Sequence, residues 1–126
     1  MRTSSAKAKG RRLQDWVKTQ LTTMLGLPKD TDLIRTAIMG ESGADVQLTS
    51  VVRDKFPYSI ECKNQEKFKG IYTIMTQAED HVKDLQPLVF LKMNNKKPLV
   101  VIDAEHFLEV YFGGRKEHSS TNIQGS

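Results

Sequence analysis

The sequence is nearly without cysteine: Cys62 stands alone among 126 residues. One thiol excludes an intramolecular disulfide. No second cysteine or paired histidine stands at zinc-ligand spacing either, since His81, His106 and His118 are scattered along the chain. Long apolar runs are also missing, and nothing approaches the roughly 18 residues that a membrane span needs. The start MRTSSAKAKGRR is basic but lacks the apolar core of a secretory signal. These absences predict a cytoplasmic protein with no membrane partner. What remains, 38% hydrophobic and 27% charged residues, suits one ordinary globular domain with a single core.

Acidic charge is in short supply at one end. Overall, 19 Lys plus Arg stand against 15 Asp plus Glu, for a net charge of +4. Among the first eighteen residues, Arg2, Lys7, Lys9, Arg11, Arg12 and Lys18 face only Asp15. This clustering points to a polyanionic partner, with a solvated basic tail that binds nothing as the plainer alternative.

Residues 1–7 are small and polar and are expected to be disordered. From Ala8, the recurrence of Leu13, Trp16, Val17, Gln20, Leu21 and Met24 at spacings of three and four predicts a helix with one face in the core, with stacking on a base as the alternative reading of Trp16. Gly26 and Pro28 stop it. DLIRTAIM reads as a strand running into the turn GESG, and Asp45-Val46-Gln47-Leu48 alternates as a strand with one wet face. SVVRDKFP is a helical turn or loop. In Tyr58-Ser59-Ile60-Glu61-Cys62-Lys63 the alternation sends Tyr58, Ile60 and Cys62 to one side and Ser59, Glu61 and Lys63 to the other. Cys62 is therefore read as a small core residue, not a nucleophile.

A second helix is expected from about Gly70, with Ile71, Ile74, Met75, Ala78, Val82 and Leu85 on its stripe, Glu79 and Lys83 as a surface pair, and Pro87 as its end. LVFL and LVVI are two buried strands joined across NNKK. Asp103 is the N-cap of a last helix that turns Phe107, Leu108 and Tyr111 inward. Residues 113–126 are a polar tail. Together these elements predict an α/β fold over residues 8–112, a mixed central β-sheet flanked by helices.

The chemistry concentrates between Gly40 and Lys63. Phosphodiester hydrolysis needs oxygen ligands for a hard cation, and a positive group near the charge that develops as water attacks. Asp45 and Glu61 supply the carboxylates if their strands pair, and Lys63 shares the Glu61 face. Acid-x-lysine alone is a chance pattern. The combination is more specific: a Gly-flanked Asp on one strand, Glu-x-Lys ending the next, then a basic loop and an amphipathic helix.

These residues resemble the PD-(D/E)xK nuclease superfamily, with Asp45 as the first acid and Glu61-Cys62-Lys63 as the E-x-K. Arg35 with Ser42-Gly43-Ala44-Asp45-Val46 is similar to the corresponding segment of archaeal-type Holliday junction resolvases. KGRRLQDWV, FPYSIECKNQEK and TQAE resemble small phage-encoded endonucleases of the same kind.

The resemblance implies a restriction-endonuclease-like core and Mg²⁺, with Mn²⁺ as a substitute, held by Asp45, Glu61 and the backbone carbonyl of Cys62. Lys63 would orient the attacking water, Gln77 would brace the site or a phosphate, and Ser42 would contact the scissile strand or position the metal ligands. One departure stands out: Gln14 occupies the position where such resolvases carry a metal-assisting glutamate on the first helix. Glu41 is the candidate to replace that carboxylate.

The expected partner is DNA, including branched four-way junctions, with phosphates met by Lys7, Lys9, Arg11, Arg12, Arg35, Lys67 and Lys69. Symmetric cutting of two strands implies a homodimer. Its interface would come from the apolar runs 88–91 and 99–102 or the last helix, whose alternative reading is monomer core. Two other functions stay open: cutting of linear or nicked DNA, and DNA binding in a nuclease fold without turnover.

Overall fold

A computed structural model describes residues 2–38, 40–66, 70–82 and 84–113. The chain runs α1 (Arg2–Met24), β1 (Ile34–Thr36), β2 (Val46–Leu48), α2 (Ser50–Lys55), β3 (Tyr58–Asn64), α3 (Ile71–Glu79), β4 (Gln86–Lys92), β5 (Leu99–Val101) and α4 (Ala104–Gly113). The five strands form one sheet in the order β1-β2-β3-β4-β5. Only β3 and β4 are parallel; the other neighbours are antiparallel. A parallel pair needs a crossover, and α3 supplies it. The architecture is the expected α/β fold, a mixed sheet flanked by helices.

Helix α1 starts at Arg2, so the expectation of disorder through residue 7 gives way to helix. Nothing before Gly10 breaks the run, and alanine, lysine and arginine are strong helix formers. Its end follows the predicted signal. Gly26 adopts φ 68°, the Gly26 N–H donates to the Thr23 carbonyl at 3.1 Å and the Leu27 N–H to the Thr22 carbonyl at 2.9 Å. This is the paired closure that a left-handed residue after a helix permits.

Pairing and burial together define the two faces of the sheet. Val46 lies opposite Ile60, and both are fully buried. On that face Tyr58, Ile60, Cys62 and Leu88 pack against Leu13, Val17 and Leu21 of α1. Removing each such side chain from water contributes roughly 1.5–3 kcal/mol. On the other face Val89 and Leu91 pack under Ile74 and Ala78 of α3. In register, Glu61 lies beside Val89 and Lys63 beside Leu91, so both residues belong to the α3 face.

Several inward assignments change. Only Leu13, Val17 and Leu21 of the α1 stripe are buried; Trp16 is 42% exposed and Met24 81%. A spacing of three and four marks a broad stripe, and the sheet covers only its centre. Helix α3 ends at Glu79, so Val82 and Leu85 leave it, and Pro87 sits inside β4 instead of closing the helix. The β4–β5 hairpin forms as expected, with Leu91 opposite Leu99, yet Leu99 and Val100 are exposed because β5 is an edge strand.

Asp103 caps α4 through a 2.9 Å bond from the His106 N–H to its Oδ2. Phe107, Leu108 and Tyr111 do not turn inward: α4 buries no residue, and one tie to the body is His106 Nε2, 2.8 Å from the Tyr58 hydroxyl. No described helix is long and apolar enough to cross a membrane. The expected polar tail beyond Gly113, and Lys67, Lys69 and Lys83, lie outside the described residues.

Candidate active site

Asp45 immediately precedes β2. Its main chain is held on both sides: the Ala37 N–H donates to the Asp45 carbonyl at 2.8 Å, and the Asp45 N–H to the Ile60 carbonyl at 2.9 Å. The preceding turn passes through Gly43 at φ 98°, a conformation that side-chain-bearing residues rarely adopt. The next rung of the β2–β3 ladder is then taken by a side chain, because the Cys62 N–H donates to Asp45 Oδ2 at 2.8 Å. The N–H and C=O of one strand residue point to the same neighbour, so the Cys62 carbonyl faces the Asp45 side as well.

Glu61 is 5% exposed, a correction to the wet face expected for it. As the central strand, β3 is covered on both sides over Tyr58–Cys62. Burial holds the Glu61 carboxyl above the usual carboxylate range, and the negative charge of Asp45 raises it further; His81 and Lys63 pull it back. The two acids expected to converge are thus close enough to feel one another. His81 Nδ1 lies 3.1 Å from Glu61 Oε2. This buried oxygen has no well-formed hydrogen bond, and the His81 ring is its ion-pairing neighbour. Lys63 is half-buried on the same face.

The Cys62 thiol points the other way, into the α1 core. Burial raises its pKa, and the charges of Asp45 and Glu61 add to the effect, so it stays protonated. What Cys62 gives the site is its peptide group.

The remaining residues expected here are dispersed. Gln77 is exposed on α3 beside buried Ala78, and it hydrogen-bonds to neither acid. Gln14 is half-buried on α1, the helix of the opposite face, and forms no hydrogen bond with Asp45, Glu61 or Lys63. Glu41 does not replace it. Its carboxylate takes two bonds from Arg35, at 2.7 and 3.2 Å, one from the Ile38 N–H at 2.9 Å and one from Gln47 Nε2 at 3.1 Å. These contacts hold the Glu41 pKa at about 2, led by Arg35. Arg35, expected to meet phosphate, is thereby ion-paired, while Ser42 is exposed in the same loop. Lys7, Arg11 and Arg12 are exposed along α1 and Lys9 is half-buried.

Beside the acids, an open cleft of about 840 Å³ runs past Gly43, Ala44, Gln47, Ser59, His81 and Asp84. His81 is the participant that the sequence did not reveal. No spacing in the sequence marks it, because it lies in the turn after α3. Among the described residues no group of three or more His, Cys, Asp and Glu side chains is arranged to hold a metal ion. The carboxylates of Asp45 and Glu61 and the Cys62 carbonyl are hard oxygen groups, of the chemical type that suits Mg²⁺ rather than zinc. The chain matches no family model, no curated protein and no solved structure.

Proposed function

We propose that the protein is a Mg²⁺-dependent DNA endonuclease of the PD-(D/E)xK kind, selective for branched DNA such as four-way junctions. The observation that carries this reading is the Glu61 carboxylate: buried, without a well-formed hydrogen bond at Oε2, where the His81 ring lies 3.1 Å away, and facing the charge of Asp45. Two carboxylates this close repel unless a proton or a cation lies between them, and a divalent cation relieves both the repulsion and the missing partner. Asp45, Glu61 and the Cys62 carbonyl would hold Mg²⁺, or Mn²⁺ in its place. Bound there, the ion would supply Lewis-acid polarisation of a phosphodiester oxygen and of a water.

The chain's own groups do the rest. The Cys62 N–H fixes the Asp45 carboxylate so that one oxygen stays free. Lys63 stands on the Glu61 face, where its ammonium orients the attacking water and balances the growing phosphate charge. The products carry 5′-phosphate and 3′-hydroxyl ends. Lys7, Lys9, Arg11 and Arg12 of α1 bind phosphates without reading sequence, so selectivity comes from DNA shape. Paired cutting requires two copies, and the exposed apolar side chains of α4 and β5 suit a homodimer interface.

A binding protein without turnover is the second reading. It is favoured by the lack, among the described residues, of a group of three metal-holding side chains and by Gln14, which hydrogen-bonds to neither acid.

The test is cleavage of a labelled four-way junction and of a linear duplex of the same sequence, with Mg²⁺ and with Ca²⁺, by the wild type, Asp45→Asn and Lys63→Ala. We expect Mg²⁺-dependent junction cutting that each substitution reduces by at least about 100-fold. Cutting that survives both substitutions would refute the site. Retarded but uncut junction favours the binding-only reading, and equal cutting of both substrates removes the junction preference.

A further inference from the structure

A second cleft, of about 540 Å³, opens on the α1 face of the sheet between that helix and the β4–β5 turn. Lys9, Arg12, Trp16, Asn64, Lys92 and Asn94 line it, and no acidic residue does. Trp16 is 42% exposed here, although an indole in a protein of this size has every hydrophobic reason to be buried. None of Lys9, Arg12 and Lys92 pairs with a described carboxylate; Lys92 Nζ donates only to the Met93 carbonyl, at 3.2 Å.

Asn64 adds an independent mark. Its Nδ2 donates to the Lys9 carbonyl at 3.2 Å, which fixes the orientation of the amide, and its buried Oδ1 is left with no donor. An orphaned acceptor of this kind wants an N–H.

We infer that this cleft is a binding site for an unpaired nucleotide of a single nucleic-acid strand, stacked on Trp16 with its phosphates on Lys9, Arg12 and Lys92. Each part matches one piece of such a ligand. The indole offers a stacking surface that accepts any base, the three cations meet phosphates, Asn64 anchors the Lys9 turn of α1 at the cleft, and the Asn94 amide on the lining can meet the base edge, where exocyclic amines and ring N–H groups are donors. Paired bases already stack on each other within a duplex, so the indole selects unpaired ones.

The position suits a strand that also visits the acids. Asn64 directly follows Lys63 on β3, and consecutive strand residues point to opposite faces, so the two sites occupy the same end of the sheet. The inference does not depend on turnover, because it involves none of the residues proposed to cut.

Trp16 is the one tryptophan of the chain, so its fluorescence reports on this cleft directly. The experiment uses full-length Asp45→Asn protein in EDTA, where no cutting occurs. It is titrated at low salt with a thymidine octanucleotide, the matching RNA octamer, an eight-base-pair duplex and inorganic phosphate, while anisotropy of the labelled oligomers measures binding. We expect saturable quenching by the single strands, little by the duplex and none by phosphate. A stronger response to one octamer identifies DNA or RNA as the strand bound.

In the same protein, Trp16→Ala should weaken single-strand binding at least about tenfold while leaving duplex binding unchanged. Trp16→Phe should restore part of the loss, and Lys92→Ala should weaken binding and flatten its salt dependence. Single strands that bind without quenching, that fail to bind, or that bind equally well to Trp16→Ala overturn the inference. Wild-type cutting in Mg²⁺ alongside any of these results would leave the nuclease reading standing and remove the cleft alone.

Discussion

Cys62 donates its main-chain N–H to the Asp45 carboxylate at 2.8 Å, so the β2–β3 ladder ends on a side chain. A ladder that continued through main chain would leave Asp45 free to rotate into solvent. Ending it this way costs β2 one regular rung, and in exchange the carboxylate is held by the strand that carries Glu61. Two acids that would separate in water are kept together by the hydrogen bonding of the sheet.

The first prediction concerns the repulsion stored there. Glu61→Gln should stabilise the metal-free protein at neutral pH by about 1–3 kcal/mol, the scale of one buried, poorly satisfied polar group. The amide removes the charge and can donate to Asp45. Mg²⁺ should raise the melting temperature of the wild type, because a ligand of the native state alone stabilises it, and it should do so far less in Glu61→Gln. Differential scanning fluorimetry with and without Mg²⁺ measures both; an equal Mg²⁺ shift in the variant would exclude Glu61 as a ligand.

Second, the Glu61 carboxyl should respond oppositely to its two neighbours. Asp45 raises its pKa and His81 lowers it. Asp45→Asn should therefore shift the Glu61 titration down, and His81→Ala should shift it up. Carboxyl ¹³C NMR titration of metal-free protein reads these directions. Shifts of the same sign would contradict the geometry.

Third, Glu61 and Glu41 should give stability curves of opposite slope against pH. The folded-state pKa of Glu61 is raised above 4.5, so its favourable contribution is complete below that value and is lost as pH rises through the folded-state value. The folded-state pKa of Glu41 is lowered to about 2 from 4.5, so its contribution is present above 4.5 and is lost as pH falls towards 2. Glu41→Gln should flatten the acid limb of a melting-temperature profile, and Glu61→Gln should flatten the limb above it. An unchanged acid limb in Glu41→Gln would mean that the Arg35–Glu41 pair does not persist in solution.

Fourth, Leu108→Glu on α4 should convert a dimer to a monomer in sedimentation equilibrium. Leu108 is 51% exposed, so the cost to the monomer's own stability should stay within about 0.5 kcal/mol. A wild type that sediments as a monomer at high concentration would reject the paired-site arrangement.

Alternation made β3 legible from sequence, because a period of two leaves one assignment of sides, and Tyr58, Ile60 and Cys62 lie together in the core as read. The Asp103 cap was equally clear, since a carboxylate before an apolar run has few other uses. The exposure of Trp16 was not legible: its spacing fits the α1 stripe, but how much of a stripe is covered depends on the width of the sheet beneath it. The burial of Glu61 escaped for a similar reason, as a charge in an alternating strand reads as solvent-facing unless the order of strands is known. Glu41 and His81 belong to turns, where periodicity carries no information, and only coordinates reveal that one clasps Arg35 and the other leans on Glu61.

Both outer strands of the sheet, β1 and β5, are three residues long. So short a border offers another chain almost no row of free amides and carbonyls to copy, a safeguard against uncontrolled strand addition. Two copies therefore have little to gain by joining their sheets into one continuous ribbon. The proposed pairing of two copies would instead proceed side chain to side chain, which would allow each copy to be turned relative to the other without breaking any ladder.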